Sequence, residues 1–588
     1  MLRKRLYICS LIIIMFLLLA SGSTQSTALN VPANKVVAEQ ITNQPLGKLG
    51  MIIILDALNV TVLEQADTPN IDYLASQGLA FFNATTVLPS ATTSAHVSLV
   101  TGAPPEIHGV VHTVAYNASR YHELLIDESP DLARLYYEDM LRVKTLLEVV
   151  KESGVKVGLI VSKSKLEVMM GRTRAADKFL VLPDEVIGSG DPHEATYPFE
   201  KRKECMEWIT NSTIKTIEEF YQYILNGESA LIIAHYAEPD WIQGAVGVMH
   251  PDTIALVEFL DSQVGRIINK LNELNLWSRT FLVLAADHGF TDVDPTKNLL
   301  SSDATHLSAI HTEHVVMETA GLLLYIYLKY PSEIQEVVNE LQKYPWVKNI
   351  WTRYPTENSS GTLSDIGLNV EFAGDIVLDI KPPYYASKYY ALGAHGGTAT
   401  QTIPIIFAGG LLKKKHIETP SIIDIAPTMA LLYGVSLPNA TGKAFDIVAP
   451  SAKVSIKVTP GIAEPGETVT AQVNYTVSEE LSGLTIELYV FFSNGTEYHY
   501  ESTSIVSVNG SLTFDVELPY EDTYTFYGLV VDSEGNILGG KTANVLVVAV
   551  EKPGFPVEKV AIGLAITVVF SSILIALPII LERRKKMA

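Results

Sequence analysis

The sequence predicts an α/β domain on a doubly wound sheet with helices on both faces, followed by a β-sandwich and a C-terminal transmembrane helix. From Gly50 to about Val448, short apolar runs alternate with amphipathic stretches, such as Ile254 to Leu274 ahead of the run Thr280 to Ala286. That alternation buries a mostly parallel sheet between helix layers. Past Pro450 the texture changes to KVSIKV, TVTAQVNYTV, TIELYVFF, SLTFDVEL, YTFYGLVV and ANVLVVAV, separated by Pro, Gly, Asn and Ser turns. Period-two strands at such spacing read as an Ig-like sandwich over 451–550. Residues 560–581 then run with charge only at their edges, roughly 22 residues and enough for a ~30 Å hydrocarbon core.

The chain ends read as targeting segments. Residues 1–23 join a basic MLRKR to an apolar run and a small-residue ASGS, the pattern of a secretory signal. Residues 551–559, with Pro553, Gly554 and Pro556, form a linker to the apolar span. The basic tail 582–588 favours the cytoplasmic side, so the expected placement is the cell membrane, single pass, with the body of the chain outside. Cys9 falls in the signal, leaving Cys205 as the lone mature thiol and no internal disulfide. Sequons at Asn59, Asn83, Asn117, Asn211, Asn358, Asn439, Asn474, Asn494 and Asn509 are expected to carry glycans in part. Asn59 and Asn83 are the exceptions, because they flank the predicted site. A net charge of −22, from 43 basic against 65 acidic residues, excludes a broad basic surface for nucleic acid.

Within the α/β domain, apolar strands run directly into acidic residues: MIIILDAL reaches Asp56, LIIAHYAEPD reaches Asp240, and TFLVLAADHG reaches Asp287 and His288. Carboxyl ends of parallel strands line one crevice, so these side chains are expected to converge there as a metal site. Between the first two lies LPSATTSAHVSLVTGAPPEIHG, where a Thr/Ser-rich turn opens an apolar helix. Hydroxyls at a helix start sit beside free N–H groups and a positive dipole end, which suits phosphate. A plain capping role is the competing reading.

Taken in order, these motifs and a late His395 in GAHGG resemble the type I phosphodiesterase/nucleotide pyrophosphatase branch of the alkaline phosphatase superfamily, over Gly50 to about Asp446. LPSATTSAHVSLVTG is similar to the family's P-T-K-T-F-P-N-H-x-x-x-x-T-G, with His96, Thr101, Gly102, His108 and Gly109 in register. The resemblance implies an alkaline-phosphatase-like fold over 50–448 with an inserted cap, and a small phosphorylated substrate. It also implies two divalent metal ions, Zn²⁺ by donor type with Mn²⁺ or Fe as alternatives. Asp56, Thr92, Asp287 and His288 would hold one ion, and Asp240 with His395 the other. Thr92 would be the nucleophile, passing through a phospho-threonine; Thr93 or Ser94 replaces it if the turn shifts.

The departures from the family pattern bear on specificity. Gly244 stands where the family has a His four residues after the Asp of EPD, leaving Gln243, His250 or His235 as stand-ins, a weakly held first ion, or a binding-only relic. Thr93 replaces a base-stacking Phe, and Thr113 replaces an Asn that would donate to the phosphoryl oxygen. VGLIVSKSKLEVMMG resembles the KDKL stretch of phosphonoacetate hydrolase, so Lys163 and Lys165 are expected to contact an anionic end of the substrate, against the reading of ordinary surface charges. His306, His311 and His314 have the look of a metal cluster but sit in an insertion, where the reading as exposed or capping residues is preferred over that as ligands, and Trp241 reads as a pocket wall or core residue. No C/S-x-P-x-R stands at the nucleophile, which disfavours a sulfatase. The expected function is a membrane-anchored extracellular metal-dependent phosphohydrolase acting on phosphodiester or pyrophosphate bonds. The alternatives are a phosphomonoester or phosphonate hydrolase, and a cell-surface binding protein with a degenerate metal site.

Overall fold

The strand LGMIIIL, β1 (Leu49–Leu55), is buried at every position. It has parallel partners on both edges, and in such a strand a continuous apolar run replaces alternation. The computed structural model describes residues 45–549 apart from 113, 118–121, 126–139, 172–174, 301–314, 320, 388–389, 414, 480. β1 is joined by β2 (Leu79–Thr85), β3 (Lys156–Val161), β4 (Lys178–Val181), β5 (Ala230–Tyr236), β6 (Thr280–Ala285) and β7 (Thr402–Ala408). These form one seven-stranded sheet in the order β2-β7-β6-β1-β5-β3-β4. Only β7 runs against its neighbours β6 and β2.

The helices that matter for the site are α1 (Thr92–Thr101), α2 (Phe199–Leu225), α3 (Glu238–Val246), α4 (Pro251–Glu273) and α5 (Ile425–Tyr433). Gly50 of β1 faces Met429 and Tyr433 of α5, whereas Gly158 of β3, one register step on, faces Thr216 and Phe220 of α2. Successive strand residues point to opposite faces, so α5 and α2 cover opposite sides of the sheet. A side chain at either glycine would displace a helix. α5 ends on Gly434 at φ 64°, a left-handed stop that glycine adopts without a Cβ clash.

Between β6 and β7 the chain builds a smaller five-stranded sheet, ordered Val315–Thr319, Leu323–Tyr327, Ile376–Ile380, Val347–Thr352, Gly361–Thr362. Its own core, with Leu324, Ile326, Trp346 and Leu378, packs under the helix Ile334–Leu341. After the α/β body, strands from Ala452 to Val547 form a three-stranded and a five-stranded sheet that enclose Val473, Ile486, Phe526 and Val545. Arg279, buried just before β6, joins the two regions by donating to the carbonyls of Leu46, Gly47 and Ile537 at 2.9, 3.1 and 2.6 Å.

The expected membrane placement is corrected here: among the described residues no helix is long and apolar enough to cross a membrane. The longest, α2, mixes buried Ile209, Ile217 and Ile224 with charged residues along its length, the pattern of a helix lying on a core. The segment 560–581, expected to span, lies outside the described residues, as do the signal 1–23, the linker 551–559 and the tail 582–588.

Candidate active site

Four adjacent parallel strands, β6, β1, β5 and β3, end at one level, and the residues that follow them make the site. Asp287 comes two residues after β6, Asp56 directly after β1, Asp240 in the first turn of α3 after β5, and Lys163 two residues after β3. Thr92 opens α1, and His395 follows the short strand Gly393–Ala394. The structure therefore brings Asp56, Thr92, Asp240, Asp287, His288, His395 and Lys163 together. Thr113 and the His306, His311 and His314 cluster lie outside the described residues. Lys165 is half-buried, its carbonyl accepting from the Met169 N–H at 3.4 Å.

Asp56 is completely buried, and its two oxygens have different tasks. Oδ2 meets Lys163 Nζ at 2.6 Å and His235 Nε2 at 2.9 Å. Among the described residues Oδ1 has no hydrogen-bond partner. Burial pushes this carboxyl upward, but the charge of Lys163, the His235 hydrogen bond and His288 outweigh it and hold the group well below the ordinary carboxylate value. Its neighbour Ala57 takes φ 59°, rare for a residue with a Cβ, and that turn aims the Ala57 N–H at Asp287 Oδ1, 2.9 Å away. Asp287 Oδ1 also accepts from the His288 N–H at 2.9 Å. Asp287 Oδ2 is left buried without a hydrogen bond, because His96 Nδ1, 3.2 Å away, spends its proton on the Thr92 carbonyl at 2.7 Å.

His288 Nδ1 lies 3.0 Å from the Gly289 carbonyl, which places a proton on Nδ1 and leaves Nε2 as the ligand atom. Nε2 stands 3.4 Å from Asp56 Oδ1, from Asp287 Oδ2 and from Thr92 Oγ1. A tetrahedral shell with bonds of ~2.1 Å has edges of roughly 3.4 Å, so this donor set fits a zinc-sized ion. The orphaned, buried oxygens of Asp56 and Asp287 are the strongest sign of it, since buried carboxylate atoms otherwise find partners.

The other side of the site is built differently. Asp240 and His395 form a possible metal group only by borrowing the same His288. Asp240 Oδ1 lies 3.6 Å from His395 Nε2, and Oδ2 accepts from Lys163 Nζ at 2.7 Å. His395 Nδ1 donates to the Ser90 carbonyl at 3.1 Å, and its ring stacks on His288 with centroids 3.9 Å apart. Burial, followed by the neighbouring His288, lowers His395 to about 3, so it stands neutral. Among the described residues Gly244 leaves open space: a Cβ there would meet only Phe290 Cζ, at 3.8 Å. The expected stand-ins do not fill that gap. Gln243 Nε2 donates to the carbonyls of Ala57 and Pro239, His250 caps α4 through the Asp252 N–H, and His235 serves Asp56.

Lys163 links the halves. Its Nζ reaches Asp56, Asp240 and, at 3.3 Å, Thr92 Oγ1, with the side chain only 10% exposed. Burial would pull its pKa down; Asp240 and Asp56 outweigh that and keep it protonated well above the usual lysine value. Ser162 fixes this reach, its hydroxyl donating to the His235 carbonyl at 3.0 Å and accepting from the Ala237 N–H at 3.2 Å. His235 Nδ1 takes the Ser162 N–H at 3.3 Å, so its proton sits on Nε2 and goes to Asp56. Sequence reasoning weighed His235 only as a stand-in ligand and passed over Ser162; a histidine inside the apolar strand ALIIAHY beside a strand-end Asp was the available signal.

Thr92 and Thr93 are buried at the N-terminus of α1, whose preceding residue Ala91 offers no side-chain cap. The N–H groups and positive dipole end of this helix start lie where an anion would sit. Trp241 packs into the core with its ring near His193, and Cys205 is buried beside Tyr197 with burial raising its thiol to about 12. The Asn59 amide nitrogen donates inward to the Phe290 carbonyl at 2.6 Å.

The doubly wound sheet thus carries acids, imidazoles and a helix-opening threonine at its carboxyl edge, and among the described residues these acids and imidazoles make two groups that could hold a metal ion. The family model "Type I phosphodiesterase / nucleotide pyrophosphatase" matches residues 51–401, and the chain belongs to that family. It is 23% identical over 252 residues to the human ectonucleotide pyrophosphatase/phosphodiesterase family member 7, covering 42% of this chain and 48% of that protein. It is 20% identical over 397 residues to the human bis(5'-adenosyl)-triphosphatase ENPP4, covering 66% and 78%. The chain spans about half the length of the family member 7 protein it matches. Among solved structures, murine ectonucleotide pyrophosphatase/phosphodiesterase 5 in complex with AMP superposes with a TM-score of 0.51 at 17% identity, over 68% of this chain and 97% of that one. The human protein of that name gives 0.52 over 67% and 97%. At such identity the likeness establishes the fold.

Proposed function

We propose that this chain is a metal-dependent phosphohydrolase that cleaves phosphodiester or pyrophosphate bonds through a phosphorylated Thr92. The observation that carries this reading is Thr92 Oγ1 at the start of α1, 3.4 Å from His288 Nε2 and 3.3 Å from Lys163 Nζ. An unassisted threonine hydroxyl is a poor nucleophile at neutral pH; a fixed positive charge and a helix N-terminus beside it both favour its alkoxide. Asp56, Asp287, His288 and Thr92 would hold a divalent ion, Zn²⁺ by donor type, which supplies Lewis-acid stabilisation of charge on the phosphoryl group.

In the first step Thr92 Oγ1 bonds to phosphorus, its proton passes to solvent, and the bond to the leaving oxygen breaks with its electron pair. In the second, water bonds to phosphorus on the face opposite Oγ1, and the Thr92 oxygen leaves and regains a proton. The N–H groups at the start of α1 bind the non-bridging oxygens, while His96, Ser162 and His235 hold the reacting groups in register. Thr93 gives no aromatic face, so no base preference enters the proposal. The monoester or phosphonate reading rests on the absent Phe and on Lys163 and Lys165; the part of it that needs Lys163 for an extra anionic group is disfavoured because that charge is engaged by Asp56 and Asp240.

The test is turnover of bis-p-nitrophenyl phosphate by the purified full chain with Zn²⁺ or Mn²⁺ restored after chelation. Metal-dependent turnover lost in Thr92→Ala is expected; no wild-type turnover, or equal turnover by the variant, contradicts the proposal.

A further inference from the structure

We propose that Lys163 is the built-in cation of the Asp240 half of the site, so that the folded chain holds a single divalent ion, on Asp56, Asp287 and His288. Three observations converge on this. First, the ammonium of Lys163 already sits on the Asp240 carboxylate and supplies it with a positive charge, 2.7 Å from Asp240 Oδ2, 2.6 Å from Asp56 Oδ2 and 3.3 Å from Thr92 Oγ1. Second, the two possible metal groups share His288, and its single unprotonated Nε2 can serve only one of them. Without it the second group is reduced to Asp240 and His395, too few donors for a closed site. Third, the position that would complete the group is Gly244, which offers no side chain and faces open space as far as Phe290 Cζ.

Charge agrees with the geometry. The buried carboxylates of Asp56, Asp240 and Asp287 carry three negative charges, which one divalent ion and one ammonium balance. A second divalent ion beside Lys163 would leave a buried positive excess of two, and buried charges need partners. The arrangement also gives Lys163 a chemical task. Its N–H points at the attacking oxygen, so it acts as a catalytic residue that donates to the developing alkoxide. That last clause rests on the Thr92 reading above, whereas the metal count does not.

The experiment loads chelator-stripped full-length protein with Zn²⁺ by equilibrium dialysis and counts bound metal per folded chain. Wild type is expected to hold one ion, and the double variant Lys163→Ala/Gly244→His, which removes the ammonium and adds the missing imidazole, is expected to hold two. A wild type that holds two ions, or none, overturns the inference, as does a folded double variant that stays at one. Should the double variant not fold, Mn²⁺-loaded wild type still decides by electron paramagnetic resonance: an isolated-ion spectrum supports the single site, and an exchange-coupled pair overturns it. Wild type with one ion and no turnover of bis-p-nitrophenyl phosphate would sink the hydrolase reading alone. Two ions with Thr92-dependent turnover would sink this inference alone.

Discussion

On one side of the site, Asp56 and Asp287 aim otherwise unused buried oxygens at His288 Nε2; on the other, Asp240 and His395 face a lysine and a glycine. Both halves hang from the same sheet edge, so the fold alone does not make them differ. The difference lies in who satisfies the buried charge. In the first half Lys163 and His235 reach only Asp56 Oδ2, so among the described residues Asp56 Oδ1 and Asp287 Oδ2 are left without a hydrogen bond, at a spacing open for an ion. In the second, Lys163 neutralises Asp240 from within the chain. Two halves of one strand-end constellation can therefore draw their countercharge from different sources, and the partners of each oxygen reveal it.

The sharpest way to break this comparison is to remove the atom both halves converge on. Thr92→Ala should lower kcat/KM for a phosphodiester by about 10⁴-fold or more, with folding intact by circular dichroism. Asp287→Asn, which weakens only the open half, should lose bound Zn²⁺ in dialysis and about 10³-fold in rate. Lys163→Met should cost about 10²-fold in kcat while the first ion stays bound, the loss expected for one charged donor at the reacting oxygen. If Lys163→Met also stripped the first ion, the two halves would not be separable as described.

The smallest effect concerns Glu238, buried at the start of α3 with neither carboxylate oxygen hydrogen-bonded among the described residues. Burial raises it to about 8, against 4.5 when free. Between those values the folded state keeps a proton that the unfolded state has lost, so wild-type stability falls as pH rises through that window and levels off above it. Glu238→Gln removes the slope. Its advantage over wild type in urea unfolding should grow by about 2 kcal/mol from pH 5.5 to 7.5, at up to ~1.4 kcal/mol per pH unit. A flat difference would mean that Glu238 is solvated or paired in the folded protein.

Much of this architecture was legible in the residues themselves. Buried parallel strands read as unbroken apolar runs, and an acid at the end of such a run has to face the crevice, which placed Asp56, Asp240 and Asp287 before any coordinates. Glycine at 244 was legible as a missing donor. The inward turn of Lys163 was not, because a lysine after a strand looks the same in sequence whether it points to solvent or inward. Its direction here depends on Ser162 and His235, a contact between neighbouring strands that lie more than 70 residues apart. His235 was hidden for the same reason, as one polar letter in an apolar strand. Which hydroxyl of Thr92, Thr93 and Ser94 lies beside His288 and Lys163 was not legible, because the sequence leaves the first residue of the helix open; here Thr92 Oγ1 does, and Ser94 Oγ turns back to the Pro89 carbonyl.

The most direct test of the central claim is to quench the enzyme with acid during turnover of a phosphodiester and map phosphorylated residues by mass spectrometry. A phosphoryl group on Thr92, absent from Thr92→Ala, is the predicted result. A turning-over enzyme in which that threonine is never modified, or in which another residue carries the phosphoryl group, would contradict the account.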